Sequence, residues 1–189
     1  MEQSLADFQK LLKGKEAALF YYAGHGVQVG GENFLIPAKE HIRSEVQVKT
    51  KAVALGDLMD RVKTSGVRTA LVFLDACRDN PFPGSSRSGT RGLAVVAPLA
   101  EVETCIASAT QPGNTAQDGN GRNGVFTAAM LKNLGTAGAS LSGLMTSATA
   151  DVKLTTTGKQ QPRMDSGLSK PFSFVDPAVA AAQAQSALD

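Results

Sequence analysis

The chain has 189 residues, of which 42% are hydrophobic and 19% charged, and carries a formal net charge of +2. That length fits one domain with a sizeable buried core, and the small, dispersed positive charge argues against a nucleic-acid partner. No run reaches the apolar length of a membrane span, and the N-terminus lacks the charged-then-apolar pattern of a signal peptide, which leaves the compartment unassigned with cytoplasm as the default.

Taken in chain order, "SLADFQKLL" (4–12) has Leu5, Phe8, Leu11 and Leu12 at helical spacing, with Ser4 as the expected N-cap and Gly14 as the stop. "AALFYYA" (17–23) reads as a short buried strand that ends on His25. "ENFLIPA" (32–38) predicts a small extended piece, and 41–50 its hairpin partner. "LGDLMDRVK" (55–63) predicts an amphipathic helix closed by Gly66, and "TALVFLDAC" (69–77) a second buried strand. The loop "RDNPFPGSSRSGTRG" (78–92) has almost nothing to bury.

A third strand is expected at "TCIASAT" (104–110), followed by the polar loop "QPGNTAQDGNGRNG" (111–124). "VFTAAMLKNL" (125–134) predicts a helix stopped by Gly135. "SLSGLMTSATADVK" (140–153) predicts another, capped by Ser140, with Leu141, Leu144, Met145, Ala148 and Val152 on one face. "KPFSFVD" (170–176) reads as a last strand, before an Ala/Gln-rich tail at 177–189. Strands alternating with helices predict an α/β fold, a three-layer sandwich around a mostly parallel sheet.

Parallel sheets bind ligands outside the carboxyl ends of their strands. His25 and Cys77 both follow an apolar strand, so parallel neighbours would present them on one edge. Their spacing matches the roughly 50-residue separation of histidine and cysteine in one class of cysteine peptidases. A free thiol is only a few per cent ionised at neutral pH; an imidazole beside it supplies the thiolate and then protonates the leaving amine. The glycines around His25 leave room for a substrate backbone and free the Gly26 N–H to face an oxyanion, a donor worth roughly 2.7–4 kcal/mol of barrier. The bland readings are a satisfied strand-end histidine and, for Cys105, a core thiol. Two cysteines make no disulfide framework, and no CxxC or HxxxH pair suggests a metal site.

"YYAGHG" (21–26) with "FLDACRDNPF" (73–82), continued by "CIASATQPGNTAQDGNGRNGVFTAAML" (105–131) and "TTTGKQQPRMDSGLSKPFSF" (155–174), resembles the caspase-like cysteine peptidases, and most their bacterial metacaspase or orthocaspase branch. The resemblance implies a caspase-like fold, His25 as acid/base, Cys77 as nucleophile, and the N–H groups of Gly26 and Cys77 as oxyanion hole. It implies one catalytic domain over 1–176, with a large-subunit-like part (1–77), a linker loop (78–103) and a small-subunit-like part (104–176). Where aspartate-specific animal caspases carry glutamine, this chain has Asp75, which in metacaspases lines an acidic pocket for Arg or Lys before the cut. Asp118 matches a second wall of that pocket, and Arg87 and Arg91 lie in the loop where the family is often self-cleaved. Asp75 could instead cap the following helix or pair with Arg78, Asp118 could be an ordinary loop aspartate, and Arg87 and Arg91 could merely solubilise.

The family usually opens with a strand, helix and strand ahead of the position of Ser4, and this sequence shows none of them. Strand 17–23 is therefore expected as an apolar edge, covered by a complementing N-terminal segment or by a second copy. Two functions follow from different classes. One is a cysteine endopeptidase acting on proteins or peptides after basic residues, for which calcium activation, common among relatives, stays open. The other is a catalytically silent caspase-like module that binds a partner.

Overall fold

The computed structural model describes residues 1–77, 93–112, 114–136 and 139–176, with Cys77 described by its backbone alone. The first helix, α1 (Glu2–Leu12), begins two residues earlier than its sequence suggests. Met1 is its N-cap, so Ser4 lies within the helix and makes no cap bond. Leu5 and Leu12 face the core.

β1 (Ala17–Val29) runs well past His25. Its first part, Ala17 to His25, pairs in parallel with β4 (Thr69–Cys77). Its second part, Gly26 to Val29, pairs antiparallel with β2 (Glu32–Leu35). His25 therefore stands where one continuous strand changes partners, rather than at a strand end. The expected hairpin partner at 41–50 is instead α2 (Glu45–Lys51), whose N-cap Ser44 accepts from Gln47 N. Beyond it, the two-residue β3 (Val53–Ala54) pairs with β2, and α3 (Leu55–Ser65) ends on left-handed Gly66 (φ 81°).

β4 pairs in parallel with β5 (Glu103–Ser108), and β5 pairs antiparallel with β6 (Arg163–Ser166). α4 (Val125–Leu134) and α5 (Leu141–Thr155) fall where periodicity places them, and Ser140 caps α5 by accepting from Gly143 N. The sheet order is β3-β2-β1-β4-β5-β6. Its centre, β1-β4-β5, is parallel and its flanking strands antiparallel, which makes the sheet mixed. The last strand was expected at 170–176. There the chain makes only a bridge from Ser173 to Ser140, while Phe172 and Phe174 pack edge-on to each other against the core.

Two apolar layers enclose the sheet. On one side α1 packs Leu5 and α3 packs Leu58 and Val62 in one cluster with Val72, Leu74 and Ile106; on the other α4 and α5 pack Phe126, Leu144 and Ala148 against Leu71, Phe73 and Cys105. The expectation that 17–23 is buried on both faces is not met. Ala18 is buried and Phe20 and Tyr22 are half-buried, whereas Leu19 is 47% and Tyr21 45% exposed. The register puts Leu19 beside Leu71 and Tyr21 beside Phe73, on the face that α4 and α5 cover over β4 and β5 but leave open over β1. Among the described residues, no strand pairs with the outer side of β1 before Gly26. No helix among them is long and apolar enough to cross a membrane.

Candidate active site

The parallel register of β1 and β4 ends with His25 opposite Cys77. Adjacent strands lie about 4.8 Å apart, so the two backbones are immediate neighbours at the carboxyl end of the parallel core. β4 stops there, while β1 turns away to β2, and His25 is left exposed at the fork.

The backbone under His25 is tightly held. Ile36 N donates to the His25 carbonyl at 2.9 Å. The Tyr22 hydroxyl lies 2.7 Å from the carbonyl oxygens of both His25 and Ile36, one proton serving two acceptors. Burial pushes the Tyr22 phenol up to about 12, so it stays a donor at any physiological pH. Both glycines beside His25 are fixed by packing. A Cβ at Gly24 would meet the Tyr22 hydroxyl at 2.8 Å; one at Gly26 would meet Leu93 Cδ2 at 2.9 Å and Ala76 Cβ at 3.3 Å. The room expected for a substrate backbone at Gly26 is thus taken by Leu93, in a segment tied to β2 by Asn33. That side chain donates to Ala94 O at 3.0 Å and accepts from Ala94 N at 2.7 Å.

Asp75 is buried, 6% exposed, on the face of β4 toward α4. Its Oδ2 accepts from Thr127 N at 3.2 Å and from the Thr127 hydroxyl, which also meets the Tyr21 hydroxyl. Helix α4 has Gly124 at its N-cap and no capping side chain of its own, so Asp75 supplies the cap from the strand beneath it. The carboxylate also sits at the positive end of the helix dipole. Asp75 therefore caps α4, the next helix after β4 among the described residues. Gly124 leaves space for the carboxylate, since a Cβ there would meet Oδ2 at 2.8 Å. Burial holds the Asp75 carboxyl above its ordinary range, opposed by the Thr127 hydrogen bonds and reinforced by the charge of Asp118. The structure thus brings Asp118, itself exposed, into electrostatic reach of Asp75.

The Asp118 loop is anchored by fully buried Gln160, which accepts from Gln117 N and donates to Ala109 O, both at 2.9 Å. Cys105 lies in the core on β5, its thiol pushed up by burial to about 11. The Cys77 side chain, Arg87 and Arg91 lie outside the described residues, as does most of the linker expected at 78–103. Sequence reasoning missed Tyr21, Tyr22, Thr127, Asn33 and Gln160. Tyr21 and Tyr22 carried a local signal, their place within "YYAGHG".

A family model, the caspase domain of peptidase family C14, matches residues 1–173. No curated protein matches the chain. Among solved structures, protein GSU0716 of Geobacter sulfurreducens aligns with a TM-score of 0.56 at 18% identity, over 94% of this chain and 75% of that one. Caspase-1 of Spodoptera frugiperda aligns with a TM-score of 0.55 at 20% identity, over 93% of this chain and 71% of that one. At those identities the two structures speak for the fold alone. The family match spans almost the whole chain: it belongs to the caspase-domain family of cysteine peptidases.

Proposed function

We propose that this chain is a cysteine endopeptidase of metacaspase type that cleaves after Arg or Lys. The observation that supports it most is the register of β1 and β4, which ends on His25 opposite Cys77 at the carboxyl edge of the parallel strands. His25 takes the Cys77 thiol proton, and the thiolate attacks the carbonyl carbon of the scissile bond. The oxyanion is met by the Gly26 and Cys77 N–H groups. As the C–N bond breaks, the His25 imidazolium gives its proton to the departing amine, leaving a Cys77 thioester. His25 then accepts a proton from water, whose oxygen attacks the thioester carbonyl and returns the acid product and free thiol.

Asp75 and Asp118 supply the negative charge that draws the basic side chain before the cut. Arg87 and Arg91, both basic, are the sites where the enzyme cuts its own linker. Fluorogenic Arg, Lys and Asp peptides, with and without calcium, test the reading beside a Cys77→Ala control. Arg and Lys peptides should be preferred over Asp by about 10²–10³-fold, the penalty of setting one carboxylate against another in a closed site. Asp75→Asn, which keeps an acceptor for Thr127, should lose that preference and leave Cys77 alkylation unchanged. Equal turnover of Arg and Asp peptides would sink the specificity, and activity surviving in Cys77→Ala would sink the mechanism.

A further inference from the structure

Among the described residues, Asp75 is held on one oxygen only: every hydrogen bond to its carboxylate falls on Oδ2 and none on Oδ1. The direction of each bond follows from the proton count. An ionised carboxylate only accepts, so the single Thr127 hydroxyl hydrogen goes to Oδ2. The Thr127 oxygen then has only lone pairs left, so the Tyr21 hydroxyl must donate to it. Burial raises the Tyr21 phenol, with the Asp75 charge adding to it, which keeps that proton in place. The result is a one-way chain, Tyr21 O–H to Thr127 O–H to Asp75 Oδ2, running from a half-exposed tyrosine on β1 through the first turn of α4 to β4.

We propose that Thr127 is the positioning residue of the Asp75 carboxylate: it locks Oδ2, with Tyr21 behind it, and leaves Oδ1 to a guanidinium or ammonium group. This rests on the basic specificity proposed above. Two donors from one residue, its N–H and its hydroxyl, fix both the position and the plane of the carboxylate. A valine has the same shape and keeps the N–H but loses the hydroxyl; a serine keeps both donors. The two substitutions therefore separate the hydrogen bond from the packing.

The test uses the full chain and needs no catalysis. The Asp75 side-chain carboxyl is followed by carbon NMR across a pH titration, assigned by its loss in Asp75→Asn. Binding of agmatine, a small guanidinium probe, is measured at pH 7. Thr127→Val should move the Asp75 titration midpoint upward and weaken agmatine by about tenfold, the effect of one charge-assisted hydrogen bond. Tyr21→Phe should move both in the same direction by less, and Thr127→Ser should match the parent in both. Should Thr127→Val unfold the chain, the Tyr21→Phe midpoint decides alone. An unchanged midpoint in Thr127→Val or, in that event, in Tyr21→Phe overturns the inference, whatever agmatine does. A raised midpoint in a chain that never binds agmatine keeps the role of Thr127 and retires the basic pocket.

Discussion

The contact between Gly124 and Asp75 makes a sharp prediction, because the substitution that probes it is a single methyl group. Gly124 has φ −54° and ψ 156°, angles that alanine adopts freely, so Gly124→Ala adds no backbone strain. Its Cβ would meet Asp75 Oδ2 at 2.8 Å, Cγ at 3.4 Å and Oδ1 at 3.5 Å. The carboxylate must give way by several tenths of an ångström. Its bond from Thr127 N, already long at 3.2 Å, then fails. Losing one hydrogen bond to a buried charge costs about 1.5–3 kcal/mol, and alanine in place of glycine at an N-cap adds a few tenths to about 1 kcal/mol. Together they predict about 2–4 kcal/mol, which for a domain of this size lowers Tm by roughly 5–15 °C.

A double-mutant cycle separates the contact from the cap. In an Asp75→Ala background the carboxylate is gone and Gly124→Ala should cost only its intrinsic few tenths to about 1 kcal/mol, a coupling of about 1.5–3 kcal/mol. Gly124→Ser in that background supplies a local cap and should recover about 1 kcal/mol. Chemical denaturation measures the four chains of the cycle and the Gly124→Ser chain. A Gly124→Ala chain within about 0.5 kcal/mol of the parent, or one equally costly in both backgrounds, would refute the reasoning.

The remaining predictions follow from the same geometry. Iodoacetamide should label Cys77 quickly and Cys105 slowly, since Cys105 is fully buried and its thiol is pushed up to about 11; peptide mapping that finds Cys105 labelled first removes the site assignment. Because Asp75 is raised by burial in the folded state, the stability it contributes is full below its ordinary value of 3.8 and is lost as pH rises through the folded value. Asp75→Asn should flatten that limb of the stability-against-pH curve, and an unchanged slope would show that Asp75 does not carry it. The open edge of β1, with Leu19 47% exposed, predicts that the chain pairs with a second copy, which Leu19→Lys should reverse in light scattering. A monodisperse monomer of the parent chain counts against that edge.

Legibility in the sequence followed burial. α3, β4, α4 and α5 each bury one clear apolar stripe or run, and the five residues named on α5 are its five buried residues. α2 misled because Val46 and Val48 alternate as in a strand. Val46 is 74% exposed and only Val48 is buried, so the helix rests on its Ser44 cap, on Glu45 in its first turn and on Lys49 and Lys51 in its last. β6 was invisible for the opposite reason. "RMDS" joins β5 through its backbone, and of its side chains only Met164 packs on the core, while Arg163 and Asp165 close an ion pair, too little for an apolar pattern to show. The cap on α4 comes from 52 residues away, beyond any local pattern.

The neighbouring places of His25 and Cys77 were legible because the ends of apolar runs can be read one at a time, and the parallel register joins the two backbones. What the sequence hid is how His25 is aimed. A histidine at a free strand end would be held from one side only. Here the strand continues, and the His25 carbonyl is clamped by Ile36 N and by a Tyr22 hydroxyl that also reaches the Ile36 carbonyl. The two ladders meet at this residue, so β4 fixes its position along the strand while the β2 hairpin fixes its rotation. A misplacement of about 1 Å can cost roughly 10²-fold in rate, and a side chain borne by two ladders moves only if both give way. The glycines serve that clamp: Gly24 admits the Tyr22 hydroxyl and Gly26 admits Leu93. The motif "YYAGHG" is therefore one packed unit, in which the second tyrosine and both glycines set the backbone that carries the histidine.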